Sequence, residues 1–192
     1  MMGKKFAGVF GLMVLLAWML TLASSQAQQI VTDQQVTLND LFHNANEQVR
    51  FALEAVALAS TAPTARAVIS NACSVLSTIE GRASTPLHPS CPTNNAADAT
   101  GIKSYVALIK SKIEQAALAD VSLTFRNIQT YLNKASDLTK DVLTKLTASE
   151  SRFEETKIDM LVVLAFLSAI KGRSDDAPSY GGLLTIEAHV GK

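Results

Sequence analysis

TLNDLFHNANEQVRFALEAVALAS, residues 37–60, repeats its apolar side chains at helical intervals: Phe42, Ala45, Val49, Ala52, Leu53, Val56 and Ala59. Steps of three and four residues put these on one face of a 3.6-residue helix, with Asn46, Arg50 and Glu54 on the opposite, wet face. Thr37 with Asp40 three residues later is a helix start of the capping-box kind, Asp standing where Glu is usual. The stretch therefore predicts one amphipathic helix over 38–60, and the same period recurs through most of the chain.

Pro63 falls where a first helical turn tolerates it. Ala65, Val68, Ile69, Ala72, Cys73, Leu76 and Ile79 then make a second apolar stripe, stopped by Gly81. Residues 81–100, GRASTPLHPSCPTNNAADAT, hold three prolines among Ser, Thr and Asn, which excludes helix or strand through the middle. A loop of about twenty residues is unusual inside a compact domain. A tether through Cys91 would order it, since Cys73 lies on the buried stripe of helix two. Ordered long loops often carry function, so this loop is one place to look for a binding surface; a pinned loop without a partner is the plainer reading.

Helical period returns at Ile102, Tyr105, Val106, Ile109, Ile113, Ala116 and Ala117, with Asp120 as a point of interruption. From Ile128 the spacing is nearly heptad: Ile128, Leu132, Ala135, Thr139, Val142, Leu146, Ser149 and Phe153. Thr139 and Ser149 dilute that seam, which favours bundle packing over a long dimeric coiled coil. Thr147 with Glu150, and Ser151 with Glu154, are both helix-start signatures, so a short turn between 147 and 151 is expected to split the region. The last helix contains MLVVLAFLSAI, residues 160–170, apolar on every side. Eleven residues do not span a bilayer. A helix without a polar face must be covered all round, so it is expected to be the central helix of the bundle, or else to meet a partner.

The tail changes character. Asp175-Asp176-Ala177-Pro178 and Tyr180-Gly181-Gly182 break helix, after which Leu184, Ile186, Ala188 and Val190 alternate with polar residues at a period of two. That pattern predicts a short extended segment, which pairs with residues 29–36, lies as a strap on this chain, or adds a strand to a partner's sheet edge. Leu184, Ile186, Ala188 and Val190 are accordingly the candidate partner-binding residues.

The N-terminus carries the clearest functional signal. Lys4 and Lys5 precede an uncharged run from Phe6 to Ala23, and small residues end at Ser25-Gln26-Ala27, the layout of a secretory signal peptide. Cleavage after Ala27 leaves 165 residues with 15 basic against 17 acidic side chains, a net charge of −2. An uncleaved N-terminal anchor is the alternative. The expected organisation is a signal peptide at 1–27, an extended lead-in at 28–36, a helical bundle at 37–172 and an extended tail at 173–192. In an oxidising compartment the only two cysteines, Cys73 and Cys91, are expected to form one disulfide.

Charge and composition remove several functions. A near-neutral chain without a basic cluster has no electrostatic grip on nucleic acid or anionic lipid. No Gly-x-Ser-x-Gly elbow, phosphate-binding glycine loop, Cys-x-x-Cys-His or Glu-x-x-His is present. His43 belongs to the wet face of helix one, which argues against haem held by His43 and Met160. Asp137, Asp141, Glu150, Glu154, Glu155 and Asp159 are interleaved with Lys134, Lys140, Lys145, Arg152 and Lys157, the pattern of a solvated face with local ion pairs. A hydrolase would have to rest on Glu80, beside Gly81 and the loop.

The sequence thus predicts an all-α antiparallel bundle of four to five helices with one disulfide-pinned loop. Functionally it predicts an exported, periplasmic or extracellular, non-enzymatic interaction or structural module. No catalytic residue, metal or cofactor is expected, and the partner is another protein. Membrane contact is expected only through the N-terminal segment if it stays uncleaved. The alternative is a carrier of a small apolar ligand, with room left between helices by Ala52, Ala59, Ala72, Ala116, Ala117 and Ala135.

Overall fold

The structure, a computed structural model, describes residues 36–81, 87–92, 100–115, 121–177 and 181–190. The signal segment, most of the lead-in, and Ala116 and Ala117 lie outside the described residues. Six α-helices follow in order: α1 (Leu38–Ser60), α2 (Ala65–Glu80), α3 (Ile102–Gln115), α4 (Ser122–Ala148), α5 (Phe153–Lys171) and α6 (Leu183–Val190). A 3₁₀ turn, Glu150–Arg152, joins α4 to α5, and no strand occurs among the described residues. The protein is all-α, with one helix more than the four to five expected.

α1 and α2 form a hairpin, as do α4 and α5; α1 also packs on α5 and α2 on α4, closing a ring of four helices. α3 lies mainly against α1, and α6 against α1 and α5. The stripes read from sequence are the ones buried. Phe42, Ala45, Val49, Ala52, Val56 and Ala59 of α1 face Val68, Ala72, Leu76 and Ile79 of α2 in the core shared with Ile128, Leu132 and Leu143. The small residues at 45, 52, 59, 72 and 135 are fully buried, where they permit close approach of helix backbones.

Local chemistry sets the helix ends. α2 is capped by Thr64, whose hydroxyl oxygen accepts from the Ala67 N–H at 3.2 Å, so Pro63 stands just outside the helix and not in its first turn. Gly81 ends α2 at φ 83°, a left-handed conformation that disfavours any side chain. The expected break near 147–151 is present: Ser149 ends α4 in extended backbone, and its side chain accepts from the Ser151 N–H. Thr139 does not weaken the α4 seam. It is fully buried, with its hydroxyl donating to the Ala135 carbonyl at 2.7 Å.

Two expectations are corrected. The tail is not extended: Leu184, Ile186, Ala188 and Val190 all belong to α6. Their alternation spans too few residues to outweigh the helical triplet Leu183, Ile186 and Val190, which packs against the core. Thr185 locks the helix start, its hydroxyl donating to the Arg173 carbonyl at 2.5 Å and accepting from the Gly182 N–H at 3.2 Å. Nor is α5 the central helix. It buries Met160, Val163, Leu167 and Ile170 completely but leaves its other side at the surface.

Candidate functional site

That surface side of α5 is the most unusual feature of the molecule. Ile158 is 64% exposed, Leu161 52% and Val162 42%; Ala165 and Ala169 are exposed as well. Positions 158, 161, 162, 165 and 169 fall at i, i+3, i+4, i+7 and i+11, one stripe opposite the buried face. Single exposed apolar residues such as Leu108 and Leu123 are ordinary, whereas a stripe at helix-packing spacing has the form of an interface.

The flanks of the stripe are defined. On one edge Phe166 stacks on Tyr131 of α4, centroids 5.9 Å apart, with Lys134 above the same ring. Between Lys157 and Lys171 the helix carries a single charged residue, Asp159, and its carboxylate is turned to Lys145 at 2.8 Å. Lys145 is also held by Asp141 at 2.8 Å and Glu155 at 3.1 Å. These carboxylates, Asp141 foremost and then Asp159 and Glu155, push the ammonium well above its ordinary pKa. The charge at the α4–α5 corner is thereby confined to that corner and kept off the apolar stripe.

A second polar cluster joins α2, α3 and α4. Glu80 Oε1 accepts from Lys103 Nζ at 2.7 Å and from the fully buried Ser136 hydroxyl at 2.5 Å, with Lys140 Nζ 3.9 Å away. Burial raises the carboxyl pKa, but the Lys103 and Ser136 hydrogen bonds and the two lysine charges outweigh it, and the net displacement is downward. A carboxylate fixed in its ionised form by two donors is a structural clasp and a poor proton donor.

The described part of the long loop, 87–92, straddles α2 and α4. Cys91 is bonded to Cys73, with Cα atoms 5.4 Å apart. The Cys91 N–H donates to the His88 carbonyl at 2.9 Å, His88 Nε2 lies 3.2 Å from Thr144 Oγ1, and Ser90 Oγ lies 2.7 Å from Thr147 Oγ1. The three histidines do not converge: His43 is exposed on α1, His88 is in this loop, and His189 Nδ1 bonds the Thr185 carbonyl within α6. Met160 is fully buried. Among the described residues no group of three or more His, Cys, Asp or Glu is arranged to hold a metal ion.

Of the candidate partner-binding residues, Ile186 is fully buried, and Leu184, Ala188 and Val190 are half-buried. On a helix they do not share one face. α6 is docked through its own apolar residues and through Asn46 Nδ2, which donates to Glu187 Oε2 at 2.9 Å. The sequence offers this stripe only through the alternative that 160–170 meets a partner, because a run without a polar side does not say which side is left outside.

No protein-family model matches this chain, and neither a curated protein nor a solved structure matches it.

Proposed function

We propose that the protein is an exported, non-enzymatic helical module that acts by binding another protein chain through the outer face of α5. The observation that carries this reading is the exposed stripe Ile158, Leu161, Val162, Ala165 and Ala169. An apolar seam at helix-packing spacing is stabilised when a second helix or apolar groove covers it. Its freedom from charge fits the depletion of charged residues at interface cores. Export is supported by the basic, apolar, small-residue order of residues 1–27 and by the Cys73–Cys91 bridge, since such bonds persist in oxidising compartments. No helix among the described residues is long and apolar enough to cross a membrane.

The test is a photo-crosslinking amino acid placed at Val162 in the producing cell, with Leu108 on α3 as the reference position. A protein adduct at 162 and none at 108 is the expected result. Failure to obtain any adduct at 158, 161 or 162 would overturn the reading.

A further inference from the structure

Among the described residues one side-chain atom sealed from solvent has no hydrogen-bond partner: Asn46 Oδ1 of α1. The nitrogen of the same amide donates to Glu187 Oε2 of α6 at 2.9 Å. A carboxylate offers acceptors only, so Glu187 satisfies the donor of Asn46 and has nothing for its oxygen. This polar tie between α1 and α6 is therefore half made. A buried acceptor without a donor weighs against the state that buries it by roughly ten- to a hundredfold in an equilibrium constant. Undocking α6 returns Oδ1 to water and lifts that penalty.

The rest of the attachment is slight. α6 has eight residues, too few to hold a helix without packing, so a helix that leaves α1 and α5 also unfolds. Its apolar anchors are Leu183 and Ile186, fully buried, and half-buried Val190. The Thr185 hydroxyl donates to the Arg173 carbonyl, which lies in the chain leading to α6, so that bond shapes the approach and reaches no ring helix. Where this chain passes the end of α5, Gly182 lies against the Gly172 backbone with no room for a side chain between them. α1, α2, α4 and α5, by contrast, are 16 to 27 residues long and share apolar seams along their length.

We propose that α6 is a lid that undocks and unfolds as one unit, uncovering apolar side chains of α1 and α5 while the four-helix ring stays folded. The half-made Asn46–Glu187 tie keeps it loosely shut. Segments that open below the global unfolding free energy are the weakly anchored ones. Glu187→Gln would complete the pair with almost no change of shape, the new amide donating to Oδ1 while its oxygen accepts from Nδ2. The carboxylate instead leaves the docked state short of its full stability. The lid is distinct from the outer stripe of α5: it lies on the core side, and its opening leaves Ile158, Leu161 and Val162 where they are.

Native-state hydrogen exchange on the full, disulfide-bonded protein at neutral pH tests this. In the parent, amides over 183–190 should exchange about tenfold or more faster than those of α1, α2 and α4, once intrinsic rates are divided out. Glu187→Gln should slow exchange over 183–190 about tenfold and leave the ring unchanged, the opposite of what loss of a charge-assisted hydrogen bond would do. Asn46→Asp, which faces one carboxylate with another, should speed it by a similar factor. Asn46→Asp combined with Glu187→Gln should return it toward the parent, which a general loss of structure would not do. Glu187→Gln also removes a negative charge near the C-terminal end of α6, so it is repeated on Asn46→Ala, where it should have little effect. Exchange over 183–190 no faster than in the ring, no slowing in Glu187→Gln, or equal slowing on Asn46→Ala would each overturn the proposal.

Discussion

Lys103 Nζ lies 2.7 Å from Glu80 Oε1, joining the last residue of α2 to the second residue of α3 across the whole intervening loop. A carboxylate at a helix C-terminus opposes the helix dipole, so Glu80 would be unfavourable there without its partners. Lys103 and Ser136 change its sign from liability to clasp. The loop ends are brought together further by Gly81 and Gly101, where a Cβ on Gly101 would collide with the Gly81 backbone nitrogen.

Glu80→Gln keeps the shape and one acceptor but removes the charge, and is expected to cost about 1–2 kcal/mol at neutral pH. The folded pKa of Glu80 is lowered, so its contribution is complete above the ordinary carboxylate range and is lost as pH falls through the lowered folded value. Denaturant titrations at neutral and acid pH check both points. The variant should differ from the parent at neutral pH and converge on it in acid. An unchanged midpoint at neutral pH would mean that the clasp contributes nothing.

The Cys73–Cys91 bridge closes a loop with a sequence separation of 18, which by chain entropy corresponds to about 3 kcal/mol. Cys73→Ala together with Cys91→Ala avoids free thiols and should lower unfolding stability by that order. Amide exchange should rise first at Cys91, whose N–H is bonded to the His88 carbonyl in the same short turn. Equal protection of that amide in parent and variant would show that the hydroxyl contacts of the loop to Thr144 and Thr147 suffice to hold it.

How legible this was from sequence depended on how long each pattern ran. α1 is readable to its ends because seven apolar positions keep one period from Phe42 to Ala59, most of its 23 residues. The turn near Ser149 was readable because two start signatures overlap there. α6 does not declare itself, because eight residues with alternating apolar character satisfy a strand and a helix alike, and the deciding contacts reach outside those eight, Thr185 to Arg173 and Glu187 to the distant Asn46. The α5 stripe was hidden for the opposite reason. Residues apolar on all sides carry no sign of which side the rest of the fold will cover, and only the placement of α1 and α4 leaves Ile158 and Leu161 outside. The position of Glu80 beside the loop is legible but its partners are not, since Lys103, Ser136 and Lys140 follow no local spacing from it.

His88 makes the loop sensitive to acid. The Ser90 N–H donates to its Nδ1 at 3.2 Å, so the proton sits on Nε2, facing Thr144 Oγ1, whose own proton is committed to the Lys140 carbonyl at 2.9 Å. Burial, followed by the nearby Lys140 charge, lowers the His88 pKa below the usual imidazole value of 6.5. The unfolded chain therefore takes up the proton at a higher pH than the folded one. Stability from the neutral ring is present above that ordinary value and is lost as pH falls from it through the lowered folded value. An NMR titration should place the His88 midpoint below the ordinary imidazole value, with the Ser90 amide losing protection as His88 protonates. A His88 midpoint at or above that ordinary value would contradict the assignment.

Gly172 decides whether α6 can dock. It ends α5 at φ 64°, where a side chain is strained, and a Cβ built on it would strike the Gly182 backbone that crosses it. Gly172→Ala should therefore cost more than the roughly 1–2 kcal/mol of a left-handed alanine alone, because the crossing chain must also move. The damage should be local: α6 is held by Leu183, Ile186 and the Thr185 bond to Arg173, all of which depend on that crossing. Hydrogen exchange over 183–190 should accelerate while α1, α2 and α4 keep their protection. Thr185→Val, which leaves the backbone crossing intact, should loosen the same segment more mildly by removing the hydroxyl that ties Gly182 to Arg173. If Gly172→Ala leaves exchange in α6 unchanged, the helix is held by its apolar face alone and the glycine crossing is incidental. If exchange rises uniformly through the bundle, α6 is not a separable unit but part of the cooperative core.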